Sequence, residues 1–298
     1  MANKVLPGYK GLATIDGIPI RCTSFSVNPK QESIFYNHVM GLRDSVNYAT
    51  SNTKGKLVET SNNVNTQRRI WRPGVVTVAG GISFPATVTN LASMFEKAKF
   101  ASLIDVDYVY YCTPNSDGAR SFKEGRVNSF ELNATAGEVI NISSDLMFKN
   151  ISDYSGTKEI EYTIAEKLIT WDKINLTFSN VPFAIDKTLI QSFNFRINNN
   201  VMPIYVSGDS TKGNVSDSLF PLELRVGMQE VSGTVIFYRD QGQEFIAIDQ
   251  SKPSKINVTL PSLAFSMDVV FQTSAMDGLV GPVITQMPFV GVDKVFGS

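Results

Sequence analysis

Residues 125–148 read GRVNSFELNATAGEVINISSDLMF, and residues 188–206 read TLIQSFNFRINNNVMPIYV. Both stretches place Ser-Phe in an alternating strand, followed by an Asn-containing turn and a second strand. The segment CTSFSVNP at 22–29 is a third variant. A strand motif that recurs in both halves of a 298-residue chain predicts a duplicated β-domain. Duplicated domains commonly build repeating assemblies, so we expect function in surfaces.

Period-two alternation of apolar and polar residues extends through most of the chain. In 140–148 the apolar face carries Ile140, Ile142, Leu146 and Phe148. In 263–271 the apolar face carries Leu263, Phe265, Met267, Val269 and Phe271. Further strand-like runs lie at 75–84, 107–112, 160–164, 174–178, 222–226, 231–238 and 256–260. The pattern predicts a mainly β protein.

Two segments have helical rather than strand spacing. From 86 to 103, Val88, Leu91, Phe95 and Ala98 follow a helical repeat, and 240–250 is the counterpart in the second half. The sequence thus predicts two tandem β-sandwich or barrel domains, each with one flanking helix. The first, 1–157, includes an N-terminal arm and a long polar loop at 43–69; the second is 158–298.

Composition and charge exclude several classes of protein. With 27 Lys and Arg against 28 Asp and Glu, the net charge is −1, whereas tight nucleic-acid binding needs a cationic surplus. No run of 18 apolar residues occurs, and the first residues lack the apolar stretch of a secretory signal. We expect a protein made in the cytoplasm, without a membrane partner.

Residues for catalysis or for holding a cofactor are scarce. His38 is the single histidine, and Cys22 and Cys112 lack the spacing of a metal or redox pair. Phosphate-loop, dinucleotide and zinc-protease motifs are missing. Asp105 and Asp107 share a strand face, which is commoner for solvated carboxylates than for an acid–base pair. We predict no enzyme activity, no metal and no cofactor.

Two aromatic groups fit either binding or packing. Arg68, Arg69, Trp71 and Arg72 interleave cations with a ring, which suits a protein contact or the stacking of bases. Tyr108 and Tyr110 share one strand face, which suits a sugar-binding surface or a packed sheet.

Three segments together resemble the two-domain tail tube proteins of tailed bacteriophages. They are the strand VNSFELN with its Gly-containing return, the strand SFNFRINNN, and VGMQEVSGTVIFY at 226–238. The resemblance implies two tail-tube-like domains that join edge to edge into a ring around a channel, in rings that stack into a virion tail tube. It implies three copies per ring with pseudo-sixfold symmetry, or six copies. It also implies contacts with tape-measure, baseplate or hub proteins, with or without a sheath, transient passage of DNA, and no catalytic residues.

The polar strand faces are candidates for the channel lining, because a wall without cations does not hold phosphate. A face that meets outside solvent would have the same composition, and Arg196 shares the parity of Ser192 and Asn194. The candidate lumen-facing residues are Glu131, Asn133, Asn141, Ser143, Asp145, Ser192, Asn194, Ser266 and Asp268.

The tract 43–69 is the candidate contact between rings, because its few apolar residues do not offset the entropy of ordering in a free subunit. The candidate stacking residues are Asn47, Tyr48, Asn52, Lys54, Lys56, Glu59, Asn62, Asn63, Arg68, Arg69 and Trp71. Other functions remain open. A tail hub or adaptor would use the same domains in a single ring, and a carbohydrate-binding β-sandwich or an unrecognised hydrolase are alternatives of a different class.

Overall fold

β-Strands make up most of the described chain. The computed structural model describes residues 11–39, 57–58, 67–110, 119–153, 167–181, 187–205, 219–239, 252–272, 275–277 and 283–296. The strands of the first half are β1 (Gly11–Ile15), β2 (Ile18–Arg21), β3 (Ser24–Phe25), β4 (Asn28–Val39), β5 (Leu57–Val58), β6 (Gln67–Pro85), β7 (Leu103–Tyr110), β8 (Ala119–Thr135), β9 (Asn141–Phe148) and β10 (Asn150–Asp153). The strands of the second half are β11 (Asn175–Ser179), β12 (Ile190–Asn198), β13 (Met202–Ile204), β14 (Glu223–Arg225), β15 (Glu230–Arg239), β16 (Ser254–Leu260), β17 (Leu263–Phe271), β18 (Ala275–Asp277) and β19 (Val283–Phe296). The predicted mainly β fold is confirmed.

One α-helix, α1 (Val88–Lys99), follows β6. Thr87 caps it: the Asn90 N–H donates to Thr87 Oγ1 at 3.3 Å, and the Thr87 N–H donates to Asn90 Oδ1 at 2.7 Å. The helix is shorter than the predicted 86–103, because Pro85 ends β6 and Ala101 adopts a positive φ of 45°. Of the predicted apolar stripe, Leu91, Phe95 and Ala98 are buried. The predicted helix at 240–250 and the predicted strand at 160–164 lie outside the described residues.

Both halves build an antiparallel sheet with the same strand order. The first sheet runs β1-β7-β8-β9-β6-β4. The second runs β11-β16-β17-β19-β15-β12. If the six strands of each sheet are numbered 1 to 6 in the order in which they occur along the chain, both sheets have the strand order 1-4-5-6-3-2. Each strand of one half therefore has a counterpart in the other, such as β4 with β12 and β8 with β17.

Two glycines support this correspondence at the level of single atoms. A Cβ added to Gly80 in β6 would lie 2.3 Å from the Ser26 carbonyl oxygen. A Cβ added to Gly233 in β15 would lie 2.3 Å from the Asn194 carbonyl oxygen. Only glycine permits such a close approach of two backbones. Ser26 is therefore the counterpart of Asn194, and CTSFSVNP at 22–29 aligns with QSFNFRIN in β12.

The interpretation of 125–148 and 188–206 as two copies of one motif is wrong. The Ser-Phe of the first segment lies in β8, and that of the second lies in β12, which pairs with β8 as its antiparallel neighbour. Both strands bury alternate large residues and expose small polar ones, so the same physical demand gives them similar sequences. The true counterpart of β12 is the third variant, in β3 and β4.

The sheets of the two halves are continuous through the pairing of β8 with β12. Buried apolar side chains form one cluster that includes residues of both halves. The predicted boundary near Lys158 falls in 154–166, outside the described residues. The division into domains 1–157 and 158–298 stays a prediction.

Candidate assembly interface

The contact between the two halves begins with the length of β8. Its 17 residues exceed the 8 of β7, so β8 extends beyond its first partner. Residues 119–126 of β8 pair with β7, and residues 129–135 pair with residues 192–198 of β12. A strand that outlasts its neighbour presents unpaired N–H and C=O groups at its edge. Here the second half covers that edge.

Aromatic side chains fill the space behind this strand pair. Phe95 of α1 stacks on Phe265 of β17, with ring centroids 4.6 Å apart, and lies 6.2 Å from Phe195 of β12. Its other neighbour is Phe130 of β8, at 6.0 Å. Phe95 is 3% exposed. The helix thus belongs to the first half by sequence but inserts its largest side chain into the second, where each aromatic pair contributes about 0.5–1.5 kcal/mol beyond burial.

Asn199, which is fully buried, joins the same halves through backbone groups. Its Nδ2 donates to the carbonyl oxygens of Ala98 and Val127, both at 2.9 Å. Gln229 Nε2 donates to the Lys99 carbonyl at 3.0 Å and to Asn199 Oδ1 at 2.8 Å. The last carbonyls of a helix have no partner within it, and these amides supply one.

We expect Asn199→Ala to lower the free energy of unfolding by about 1–3 kcal/mol, because buried carbonyls lose their donor. Chemical denaturation measures the change. Asn150→Ala is the matched control, because Asn150 is an exposed asparagine in β10 and its loss is expected to cost less than about 0.5 kcal/mol. Equal effects of the two substitutions would contradict the bridging role of Asn199.

The predicted lumen-facing residues of β8, β9 and β12 lie together. Glu131 lies opposite Ser143, and Asn133 lies opposite Asn141. On its other edge, Asn133 lies opposite Asn194. Directly opposed residues project from the same side of an antiparallel sheet. These side chains therefore form one polar face that continues across the contact between the halves.

Ser266 and Asp268 lie on the same face, farther along the sheet. Register leads from Asn194 to Thr234 in β15 and on to Pro288 in β19. Val290 of β19 then lies opposite Val270 of β17, which shares the parity of Ser266 and Asp268. All nine candidates thus share one sheet face, although β15 and β19 separate the last two from the others.

Hydrogen bonds hold the central part of the face. Glu131 Oε1 accepts from Asn133 Nδ2 at 3.0 Å and from Asn194 Nδ2 at 2.8 Å, and Asn194 also donates to Asn133 Oδ1. Asp145 Oδ2 accepts from Ser129 Oγ at 2.7 Å. The network crosses from β8 to β12, so it contributes to the contact as well as to the face.

Two cations accompany the carboxylates of this face. Arg196 lies opposite Glu131 in the register, and Lys255 Nζ lies 3.7 Å from Asp268 Oδ1. An exposed ion pair such as Lys255–Asp268 adds little stability, about 0–1 kcal/mol. The consequence of the two placements is that each positive charge has a carboxylate nearby, which weakens its attraction for a phosphate.

A scan against protein-family models matches residues 50–285 to the family described as phage tail tube protein. The match covers most of the chain. The chain belongs to the phage tail tube protein family. A comparison with curated proteins gave no match.

Membership identifies the chain as a structural component of the virion tail. The family is not an enzyme class, and it implies self-assembly and contact with other tail proteins. In the described part of this tail tube protein, no group of three or more His, Cys, Asp or Glu residues is arranged to hold a metal ion. Within the same ranges, no helix is long and apolar enough to cross a membrane.

The predicted stacking tract of the tail tube protein is only partly described. Residues 67–69 belong to β6 rather than to a loop, and residues 57–58 form β5, paired with the same strand. Arg68, Arg69 and Trp71 thus lie in a strand that pairs with β4. The alternation of apolar and polar residues does not predict this start of β6, because the three consecutive polar or charged residues Gln67, Arg68 and Arg69 interrupt it. The other candidates, Asn47, Tyr48, Asn52, Lys54, Lys56, Glu59, Asn62 and Asn63, lie outside the described residues.

The other candidate residues that are described have structural roles. Tyr108 is 6% exposed and its ring is stacked on Phe25 at 3.9 Å, as in a packed sheet. Lys123 Nζ lies 3.2 Å from Asp105 and 3.7 Å from Asp107, as in an ordinary surface ion pair. Burial raises the pKa of Cys22 to about 12, so its thiol is inert at neutral pH.

Sequence reasoning missed the residues that join the halves. Phe95 was predicted as part of a buried stripe, but its partners on β12 and β17 are distant in sequence. The Asn-rich segment 198–200 leaves β12 at the predicted turn, and the alternation of apolar and polar residues gives no sign that Asn199 within it is fully buried. The sequence signal for this contact is the run of three asparagines directly after an aromatic strand. An amide that is buried there needs several hydrogen-bond partners, so it indicates a contact with another segment.

Proposed function

We propose that this tail tube protein forms rings around a channel, and that the rings stack into the tube through which the genome passes. The observation that carries the proposal is the pairing of β8 with β12, which joins two sheets of the same strand order edge to edge. The two edges are different, so the contact is heterologous. A heterologous contact that repeats with a closing rotation produces a ring. A closed ring also covers the sheet edges that otherwise favour aggregation.

Three chains, each with two such sheets, give a ring of six similar units. Six chains remain the alternative, in which each ring contains twelve. In either arrangement we place the polar face of Glu131, Asn194 and Asp268 at the channel. Its support is the mixture of amides, hydroxyls and compensated charges, which offers phosphate few unpaired cations.

The test is electron microscopy of the purified protein. Long hollow tubes are the expected result, with a rotational symmetry that gives the number of copies per ring. Isolated rings would favour a hub or adaptor, which uses the same domains once. Monomers that bind glycans would favour a carbohydrate-binding module and contradict the proposal.

Contact between rings is proposed for the tract 43–69. Deleting residues 50–64 is expected to leave a folded protein that forms rings without stacking, because the deletion removes the short strand β5 but spares β6 and its pairing with β4. Sedimentation velocity measures the loss of long tubes. A deletion of residues 207–217, the other polar tract, is the control for shortening a polar loop. Tubes of normal length from the first deletion would contradict the stacking role.

Other tail proteins complete the assembly in this proposal. A tape-measure protein, a baseplate or hub, and in some tails a sheath would contact the tube. The chain is made in the host cytoplasm and enters the virion by polymerisation.

A further inference from the structure

The duplicated sheet order allows the contact inside one chain to be transferred to the contact between chains. Within the chain, the outer edge of β12 pairs with β8. We call an edge in the position of β12 an acceptor edge, and the edge of β8 that pairs with it a donor edge; the terms do not refer to hydrogen-bond direction. The counterpart of β12 is the strand formed by β3 and β4, and within the described ranges nothing pairs with its outer edge. The strand has the same relation to β6 as β12 has to β15. It therefore presents the acceptor edge of the first half.

The donor edge of the second half follows from the same correspondence. Phe84 and Phe237 are counterparts, since each lies four residues after its close-approach glycine. Phe84 lies opposite Ile142, which lies opposite Leu132 of β8. Phe237 lies opposite Thr285, which lies opposite Met276 of β18. The strand β18 thus takes the place of the part of β8 that pairs with β12.

In the described part of the chain, β18 pairs with β19 and with no other strand. The edge on which β8 carries β12 is therefore available on β18. One chain presents an acceptor edge at its first half and a donor edge at its second. Such an arrangement is that of a head-to-tail repeat.

A groove beside the acceptor edge corresponds to the site that Phe95 fills. Phe95 contacts Phe195 and Phe265. The counterpart of Phe195 is Val27, two residues after the shared Ser-Phe. The counterpart of Phe265 is Arg120. The register that starts at the two close-approach glycines makes Tyr108 the counterpart of Val258, and Arg120 lies opposite Tyr108 as Phe265 lies opposite Val258.

Both counterparts line one groove of about 510 Å³. Asn28, Tyr108, Phe122 and Ser152 also line it. The groove has the size of small-molecule pockets, yet its place in the fold is the one that an aromatic side chain of the neighbouring unit occupies in the second half. The first half thus has a sheet edge and an adjoining groove. In the second half, the corresponding edge is paired with β8 and the corresponding groove is filled by Phe95.

We infer that the edge Ser24–Asn28 and this groove bind the second half of another copy of the chain, with Ser26–Asn28 pairing antiparallel to Ala275–Asp277 of β18. The inference rests on the proposed ring and specifies its joint. The register is that of the internal contact: Asn194 lies opposite Asn133, so Ser26 lies opposite Asp277 of the next copy. Pro29 follows directly and has no N–H to donate, so it ends the ladder and limits pairing in other registers.

Disulfide trapping tests this register. Ser26→Cys with Asp277→Cys is expected to form a bond between chains in assembled protein, because directly opposed residues have Cα atoms about 4.5–5.5 Å apart, within disulfide range. The background carries Cys112→Ser, and buried Cys22 stays reduced. On a non-reducing denaturing gel, a ring of three then gives covalent trimers as the largest species, and a ring of six gives hexamers.

Two control pairs calibrate the experiment. Asn133→Cys with Asn194→Cys tests the same geometry inside one chain and is expected to oxidise without joining chains. Ser26→Cys with Met276→Cys moves one cysteine to the opposite sheet face and is expected to give little cross-linking. Tubes that form normally without Ser26–Asp277 linkage, while the internal pair oxidises, would overturn the inference and leave the proposed function intact. Wild-type protein that forms neither rings nor tubes would overturn both.

A second variant tests the groove without cysteines. Ser152 is exposed at the groove, so Ser152→Trp is expected to fill it while leaving the fold intact. The concentration needed for assembly should rise about tenfold or more, as when an anchor site of an interface is blocked. Ser179→Trp, at an exposed serine of β11, is the control for a surface tryptophan. Unchanged assembly by folded Ser152→Trp protein would contradict a role for the groove.

Discussion

Phe95→Ala is expected to lower the free energy of unfolding by about 3–5 kcal/mol, the range for removing a buried phenylalanine. The side chain is 3% exposed and contacts rings from β8, β12 and β17. The resulting cavity would lie between the halves, where backbone strands limit collapse. Urea denaturation followed by circular dichroism measures the change.

Phe100→Ala is the matched control, because Phe100 follows the same helix but is 67% exposed. Its replacement is expected to change the free energy of unfolding by less than about 0.5 kcal/mol. Similar losses for the two variants would show that Phe95 does not hold the halves together.

Asp145→Lys combined with Asp268→Lys is expected to make assembled tubes retain DNA that wild-type tubes release. Each lysine placed on a channel wall adds a phosphate contact and repeats around every ring. With six to ten such contacts, the affinity should fall by about 10³–10⁵ between 50 and 200 mM salt. Co-sedimentation of short duplex DNA with tubes measures retention at each salt concentration.

Location is tested by adding a nuclease to the sedimented tubes. DNA held inside the channel is expected to resist digestion. Asp172→Lys with Glu223→Lys makes the same change of charge at exposed sites away from the face and should hold only digestible DNA. Asp145→Asn with Asp268→Asn separates the loss of carboxylates from the gain of cations and should retain little DNA. Digestible DNA on the Asp145 and Asp268 lysine variant would place the polar face outside the channel.

The sequence allowed the strand content and one helix to be predicted, because alternation and a helical stripe depend on neighbouring residues. In β17, Met267 and Val269 are buried as alternation requires, and in α1 the Leu91, Phe95 and Ala98 stripe faces the core. The polar parity of Glu131, Asn133 and Asn194 was also predicted, and their position on one face follows from it.

Contacts between distant segments escaped prediction because strand pairing leaves no local pattern. The Ser-Phe segments of β8 and β12 were interpreted as copies, and only their register shows them to be neighbours. Strand β6 begins at Gln67, inside a tract with the composition of a loop, because pairing with β4 stabilises it. Tertiary contacts outweigh local propensity in such strands.

In the proposed ring, the pairing of β8 with β12 also affects how assembly depends on concentration. When two ring units are covalently connected, their joint forms within one molecule at the high effective concentration of a tether. In a ring of three chains, half of the joints then exist before any molecules meet. Closure depends on the third power of subunit concentration rather than the sixth, so a fused chain nucleates rings from a much more dilute pool.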